Sequence, residues 1–320
     1  MYDVIIVGAG PIGLATAIAA QKHGLNYVVV EKGVLANAIY HYPVNMTFFS
    51  SARDLEIGNV PFTISSFRPT RTEALSYYRR VAEFFDLSIV FHAEVTSLEK
   101  RSDHWSVALH NLDPVAGKNV VVATGYFDNP NTLGVPGEEL AKVRHYYQEA
   151  HFYYRKKVII AGGSNSAVEA ALEIYRSGGV VTLVHRGPKI GDRVKAWVVP
   201  DIENRLKNGE INGYFNSQIV RIEQDGVILR TGEGQELELE NDEVLVMIGY
   251  HPDTDLLTRA GVQVDPVSRV PAFDSNSLES NRPGLYLAGS LIVGNEGNKI
   301  FISNGRHHGE QIITSIVNKK

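Results

Sequence analysis

No cysteine occurs anywhere in the 320 residues. That excludes structural disulfides, thiolate metal sites, iron–sulfur clusters and any cysteine-based redox relay within the polypeptide. Charge of one sign is not in excess either: 31 Lys and Arg against 36 Asp and Glu leave a formal net charge of −5, with pI near 6.1. The charges are spread along the chain, so nothing in them points to nucleic acid or an anionic membrane as partner. A long unbroken apolar run is missing too. The stretch from Val4 to Ala20 comes nearest, but Gly8, Gly10, Pro11 and Gly13 interrupt it and it has no basic leader, so the sequence predicts a soluble cytoplasmic protein. A chain of this length can bury about three quarters of its unfolded surface, enough for two domains of ordinary size.

The interruptions are themselves informative. Val4 to Val7 reads as a buried strand, Gly8-Ala9-Gly10-Pro11-Ile12-Gly13 as a turn, and Leu14 to His23 as a helix closed by Gly24. In such a turn the first glycine allows the tight bend, the second leaves room for a pyrophosphate, and the third lets the helix pack on the strand. The helix start then offers free N–H groups and the positive end of its dipole to phosphate. A second strand, Tyr27 to Val30, ends in Glu31-Lys32. An acid at that spacing hydrogen-bonds ribose hydroxyls.

The pattern recurs. Val158 to Ala161 is a strand, Gly162-Gly163-Ser164-Asn165-Ser166-Ala167 the turn with Ser164 in place of the middle glycine, and Val168 to Ser177 a helix ended by Gly178-Gly179. Here the partner strand Val180 to Val184 ends in His185-Arg186, followed by Lys189, Arg193 and Lys195. A carboxylate at the strand end repels the 2′-phosphate of NADP, whereas an arginine accepts it through charge-assisted bonds. The first turn should therefore hold a dinucleotide with free ribose hydroxyls, FAD or NAD, and the second NADPH. One such contact discriminates by on the order of 1.5–3 kcal/mol, roughly tenfold to a hundredfold.

Asn37 to Ser51 has neither helical nor strand period. Its Tyr40, Tyr42, Pro43, Thr47, Phe48, Phe49 and Ser50 could wall a flat heteroaromatic ring and bond its edge. Thr70 to Phe85 has helical spacing, and Ile89–Val95, Trp105–His110 and Lys118–Ala123 read as strands, with His92 and His110 as ordinary strand histidines. Four strands from Ile219 to Ile248, with turns at Gly226 and Gly232, predict a meander covering the second unit. A further strand lies within Gly284 to Ser290, and a last helix runs from about Asn304 to Val317. A helix beginning beside a flavin could stabilise negative charge on its reduced form. His307 and His308 are adjacent and point about 100° apart on a helix, which argues against a shared metal or proton relay. No metal site is predicted. The fold class that follows is α/β with two Rossmann-like, three-layer ββα dinucleotide-binding domains, the NADPH domain (127–250) inserted into the FAD domain (1–126 and 251–320).

Nine stretches carry a specific resemblance: GAGPIGLA (8–15), EKG (31–33), IYHYPVNMTFFSS (39–51), LEIGNVPF (55–62), ATGYFDNPN (123–131), VPGE (135–138), GGSNSAVEAAL (162–172), VTLVHRG (181–187) and GNEGNKIFISNGRHHG (294–309). With them the chain resembles the low-molecular-weight thioredoxin-reductase branch of flavoprotein pyridine-nucleotide oxidoreductases, and within it the YpdA family, described as bacillithiol-disulfide reductases. The resemblance implies one FAD per chain, NADPH as reductant, a cytoplasmic location and a homodimer or homotetramer. For FAD it adds Val95, Ala123, Thr124, Gly125, Tyr126, Gly289, Ser290, Asn298, Lys299 and Ile300 to the residues above; for NADPH it adds Glu169, Ile248 and Gly249.

Two departures matter. Members resembling this chain often carry a cysteine just before the third fingerprint glycine, where Ile12 stands here. The Cys-x-x-Cys pair of thioredoxin reductases falls on His145 and Gln148. A dithiol relay to thioredoxin is excluded on chemistry, and the cysteine-dependent route to a small disulfide is left without its thiol. No protein side chain is assigned as catalytic, since the flavin would carry the bond-making while the domains turn to bring nicotinamide onto it. The acceptor stays open: a low-molecular-weight disulfide such as bacillithiol disulfide, a ferredoxin or flavodoxin, or none, if the protein is a nucleotide-binding redox sensor. Ferredoxin–NADP reductases of this branch often extend past their last helix, whereas this chain runs only a little beyond Val317, which disfavours the second reading.

Overall fold

The computed structural model describes residues 1–319 and, within them, every side chain but that of Asn298. The chain divides into two compact units, one made of Met1–Asn129 with the stretch from Tyr250 onward, the other of Pro130–Gly249. The crossings thus fall at 129/130 and 249/250, where the sequence placed them at 126/127 and 250/251.

The first unit runs β1 (Tyr2–Val7), α1 (Pro11–Lys22), β2 (Tyr27–Val30), α2 (Asn37–Tyr40), α3 (Arg71–Phe85), β3 (Ile89–Val90), β4 (Val95–Lys100), β5 (Trp105–Leu109) and β6 (Leu112–Val122). β1 is buried along Val4–Val7 without alternation, as a parallel strand covered on both faces must be. It pairs in parallel with β2 and β6, matching Val7 to Val30 and to Val122, so the three strands end level. β6 is long enough to serve twice: its first half pairs with β5 in an antiparallel ribbon with β4, its second half with β1. Thr70 starts α3 through a capping box with Glu73, a device that contributes about 1 kcal/mol.

Local readings fail here at two places. The single strand expected over Ile89–Val95 is two, because His92 takes a left-handed backbone (φ 55°) and turns the chain so that Ala93 N–H reaches the carbonyl of Glu31 at 2.9 Å. His92 and His110 accordingly lie outside the strands. The aromatic loop after Glu31 also contains the one-turn helix α2, entered through Ala36 at φ 54°.

The second unit runs β7 (Val143–Arg144), β8 (Lys157–Ala161), α4 (Asn165–Arg176), β9 (Val180–Val184), α5 (Val199–Lys207), β10 (Asn212–Tyr214), β11 (Gln218–Ile222), β12 (Gly226–Arg230), β13 (Glu236–Glu240) and β14 (Glu243–Val246). A parallel sheet in the order β10-β9-β8-β14-β7 is accompanied by an antiparallel one, β11-β12-β13. Alternate residues sort the layers. Val158, Ile160 and Leu245 pack with α4, while Ile159, Ala161, Val244 and Val246 pack with Ile219, Val227 and Leu229 of the antiparallel sheet. The fourth strand of the expected meander is therefore β14, a central parallel strand, and the meander has three. Gly226 opens β12 instead of forming a turn, whereas Gly232 does lie in the turn before β13, where Gly234 takes φ 82°. The helix placed at Val168 begins at Asn165.

Returning to the first unit, the chain forms α6 (Asp255–Arg259), β15 (Leu285–Leu287) parallel to β6, a 3₁₀ stretch Gly289–Lys299, α7 (Ile302–Gly305) and α8 (His308–Asn318). The last helix expected over Asn304–Val317 is thus broken. Between its two parts Arg306 donates to the carbonyls of Arg53 and Glu56 at 2.8 Å. α8 then packs on α1 so closely that a Cβ on Gly309 would fall 2.6 Å from Thr16 Cα.

Candidate functional site

The level ends of β1, β2, β6 and β15 make the crevice that open parallel sheets use for ligands. Gly8 bends the chain there with φ 105°, and a Cβ on it would lie 2.8 Å from the carbonyl oxygen of Ala123. Gly13 is seated on the bend, a Cβ there falling 1.9 Å from the Gly8 oxygen. Around Gly10, by contrast, no atom lies within 4 Å of where a Cβ would be. Gly10 is also the N-cap of α1, with Pro11 next and no side chain capping the helix. With space beside Gly10 and no side chain capping the 12-residue helix, the residues present fit a pyrophosphate.

Glu31 is 5 % exposed, and its two oxygens accept from the N–H groups of Ala9 (2.7 Å) and Gly33 (2.8 Å). An ionised carboxylate has roughly four acceptor positions, so ribose hydroxyls can still bond it. Lys32 reaches Asp128 at 2.9 Å, joining the end of β2 to the loop after β6. Gly289 and Ser290 close the opposite side. A Cβ on Gly289 would come within 2.9 Å of Ile12 Cδ1, and one on Gly125 within 3.8 Å of Ser290 Oγ. Ile12 fills an apolar slot between Gly289 and Gly305 together with Ile300.

The aromatic loop divides. Tyr42 stacks edge-on against Phe127 with ring centroids 4.8 Å apart, and Phe127 lies 4.7 Å from Tyr250. Burial raises the Tyr42 hydroxyl well above its ordinary range, with Tyr126, Tyr250 and Asp128 adding to it. Phe48 is a core residue, bonded through its N–H to Pro69. Tyr40 and Phe49 are exposed, near the guanidinium groups of Arg71 and Arg68 respectively, and Thr47 is exposed too. Pro43 and Ser50 are half-buried. Tyr126 lies against Gly297, and Lys299 is exposed and paired with Glu296. Ala123 and Thr124 follow directly on β6, the Ala123 N–H bonding Val7. Val95 stands two residues past Ala93, at the start of β4. The side chain of Asn298 lies outside the described residues.

In the second unit Gly162 (φ 144°) turns the chain after β8, and Gly163 admits the ring of His185, which a Cβ would meet at 2.5 Å. Ser164 caps α4 without a side-chain bond, leaving the helix start open. The segment after β9 folds back over this turn. Gly191 N–H bonds Gly163, Asn165 donates to Arg193 O at 2.9 Å, and Lys195 N–H returns to Asn165 Oδ1 at 2.9 Å. Two of the expected cations are committed: Lys195 to Glu169 at 2.6 Å, and exposed Lys189 to Asp192 at 2.7 Å. Arg186 is exposed and makes no ion pair among the described residues, while the Arg193 side chain is exposed at the same rim. Burial, then Arg186, pushes the His185 ring below its ordinary pKa. Ser166 and Ala167 lie in the first turn of α4; Ile248 and Gly249, exposed, follow β14, with Asn131 bonding both carbonyls. The expected position of a Cys-x-x-Cys pair offers a half-buried His145 near Glu138 and an exposed Gln148.

Two glycine cradles on two ββα units, the first closed by an acid and the second by a base, define an FAD- and NADPH-dependent oxidoreductase of the thioredoxin-reductase type. The chain belongs to the pyridine nucleotide-disulphide oxidoreductase family, matched over residues 5–289, and within it to the YpdA group. It is 40 % identical over 316 residues to the bacilliredoxin reductase Bdr of Bacillus subtilis (strain 168), covering 99 % of this chain and 98 % of that one. The solved bacillithiol disulfide reductase Bdr (YpdA) from Bacillus cereus superposes with TM-score 0.97 at 41 % identity, covering 100 % and 99 % of the two chains. Its counterpart from Staphylococcus aureus gives 0.96 at 37 %, covering 99 % and 98 %. No helix among the described residues is long and apolar enough to cross a membrane.

Sequence reasoning missed the ties behind the second cradle, Asn165 and the Glu169–Lys195 pair. It also dismissed His308, whose Nδ1 accepts the Gly289 N–H at 3.1 Å. Only its place in a dense Gly-Arg-His-His-Gly run could have drawn notice to it.

Proposed function

We propose that the protein reduces a disulfide acceptor with electrons from NADPH, the first cradle holding FAD and the second NADPH. The observation that carries this reading is the contrast of strand ends: Glu31, buried and bonded to the turn, against Arg186, exposed and in no ion pair among the described residues. FAD held by the Gly8–Gly13 turn and Glu31 would supply the two-electron transfer from NADPH to the acceptor, chemistry that the chain's own side chains lack. The chain's part is to hold and to exclude. The open helix starts receive the phosphates, Glu31 the ribose, and Arg186 the 2′-phosphate. The half-buried rings of Tyr42, Phe127 and Tyr250 pack together and shield one side of the first crevice from water.

The relatives' names divide on the acceptor, one pointing to bacilliredoxin and two to bacillithiol disulfide. We favour bacillithiol disulfide or a protein mixed disulfide carrying the same thiol. Since the chain has no cysteine, electrons must leave from the reduced flavin directly or through thiols of the partner. That absence favours one second reading, electron transfer to a ferredoxin or flavodoxin, which needs no thiol. The likeness to the Bdr proteins is also the ground for reading this protein as a cytoplasmic homodimer or homotetramer. Rapid mixing with NADPH, followed by small disulfides, bacilliredoxin mixed disulfide, ferredoxin and flavodoxin, decides the acceptor. Reoxidation by the bacillithiol disulfides alone is expected; reoxidation by ferredoxin or flavodoxin alone overturns the disulfide reading.

A further inference from the structure

The geometry points to His308 as a positioning residue: its unprotonated Nδ1 accepts the buried Gly289 N–H and so fixes the Gly289–Ser290 turn over the first cradle, and a proton on that nitrogen releases the turn. The inference rests on the reading that this cradle holds FAD.

The turn is built to be held. Ala288 N–H bonds Val122 at 2.9 Å, setting the end of β15 beside β6, and Gly289 then leaves with φ 79°. From there the backbone approaches Ile12 on the first turn of α1, and Ser290 approaches Gly125 in the loop after β6. Gly289 is buried, so its N–H needs a partner within the protein, and His308 supplies it. An imidazole nitrogen accepts only when it carries no proton, which assigns the ring's hydrogen to Nε2 in the neutral form. A second proton would go to Nδ1 and leave two donors facing each other.

The surroundings oppose that second proton until the solution is acidic. His308 is the first residue of the 11-residue α8, whose positive end disfavours an imidazolium. The charged and titratable groups flanking it are His307 and Arg306 before it and Glu310 after it; α1, against which α8 packs, contributes Lys22 and, at its C-cap, His23. Glu310 is engaged with His23 at 2.9 Å, and Arg306 is turned to the carbonyls of Arg53 and Glu56. Burial first, and then His307, lower the His308 pKa.

The test compares the purified holoprotein with His308→Asn, whose side-chain oxygen can accept in place of Nδ1 but cannot take up a proton, and with His308→Ala, which has no acceptor. The first readout is hydrogen–deuterium exchange of the segment around Gly289 from pH 5 to 8, corrected for intrinsic rates. The second is the rate of NADPH-driven flavin bleaching over the same range. Wild type should lose protection and slow by about fivefold on acidification below pH ~6.5, the loss of one buried bond. His308→Asn should hold the high-pH behaviour throughout, and His308→Ala should show the low-pH behaviour at every pH. The same titration in all three, or an alanine variant indistinguishable from wild type at pH 8, overturns the inference. A wild-type chain that holds no flavin overturns the cofactor reading instead, while the exchange measurement still decides whether His308 holds the turn.

Discussion

Glu31 Oε2 lies 2.7 Å from the amide nitrogen of Ala9 and accepts its hydrogen, so the acid that ends β2 is fastened to the glycine turn it faces. Its other oxygen takes the Gly33 N–H. One buried carboxylate thus fixes both the turn that receives phosphate and the loop that follows the ribose strand. Glu31→Gln keeps one carbonyl oxygen and turns an NH₂ group toward one of these donors. Losing a charge-assisted bond of about 1.5–3 kcal/mol should weaken FAD binding tenfold or more. The flavin absorbance retained per chain after gel filtration measures it; full retention would remove Glu31 from the site.

Arg186 is exposed beside His185 and makes no ion pair among the described residues, while Lys189 and Lys195 are held by Asp192 and Glu169. The 2′-phosphate assignment accordingly narrows from a basic run to Arg186, with Arg193 beside it. Arg186→Ala should raise KM for NADPH roughly tenfold to a hundredfold and leave KM for NADH nearly unchanged. Equal effects on the two nucleotides would show that the arginine does not read the phosphate.

Gly163→Ala makes the complementary case. The new methyl would stand 2.5 Å from His185 Cγ and must displace that ring, which lies under the turn itself, not out at the rim. KM for NADH should rise together with KM for NADPH, several-fold each, with FAD content unaltered. Steady-state kinetics with both nucleotides separates this common loss from the selective one at Arg186.

Both cradles were legible because their signals are local. A buried apolar strand, glycines at fixed offsets and the residue that ends the next strand all lie within about 30 positions, the span of one such unit. What escaped depends on partners far off in sequence. Val244 to Val246 read as one more meander strand, since nothing nearby reveals that β14 pairs with β8 and β7. The split of Ile89–Val95 comes from the left-handed His92, a conformation uncommon for any residue with a Cβ and not announced by the apolar run around it. His308 looked ordinary because its acceptor role is defined by Gly289, on a strand end that periodicity does not connect to α8. Nor does spacing show that Lys195, in the basic run after β9, is paired with Glu169 on α4.

Acid should destabilise the protein in two separate windows. His185, His251 and His308 all have folded-state pKa values below the ordinary histidine value, and burial is the leading cause for each. The unfolded chain therefore binds protons that the folded chain refuses, so the stability these rings contribute is intact above about pH 6.5 and is lost as pH falls below it. Asp265 and Asp274 carry pKa values lowered by their bonds to Ser268 and Ser277, and their contribution is lost only near and below the ordinary carboxylate range of about 4. Thermal unfolding should show a nearly flat Tm from pH 8 to 7, a first decline between about 6.5 and 5, and a steeper one below 4. His251→Asn removes one titrating ring and should make the first decline shallower without moving the second. A first decline unchanged in that variant would mean that His251 does not contribute to it.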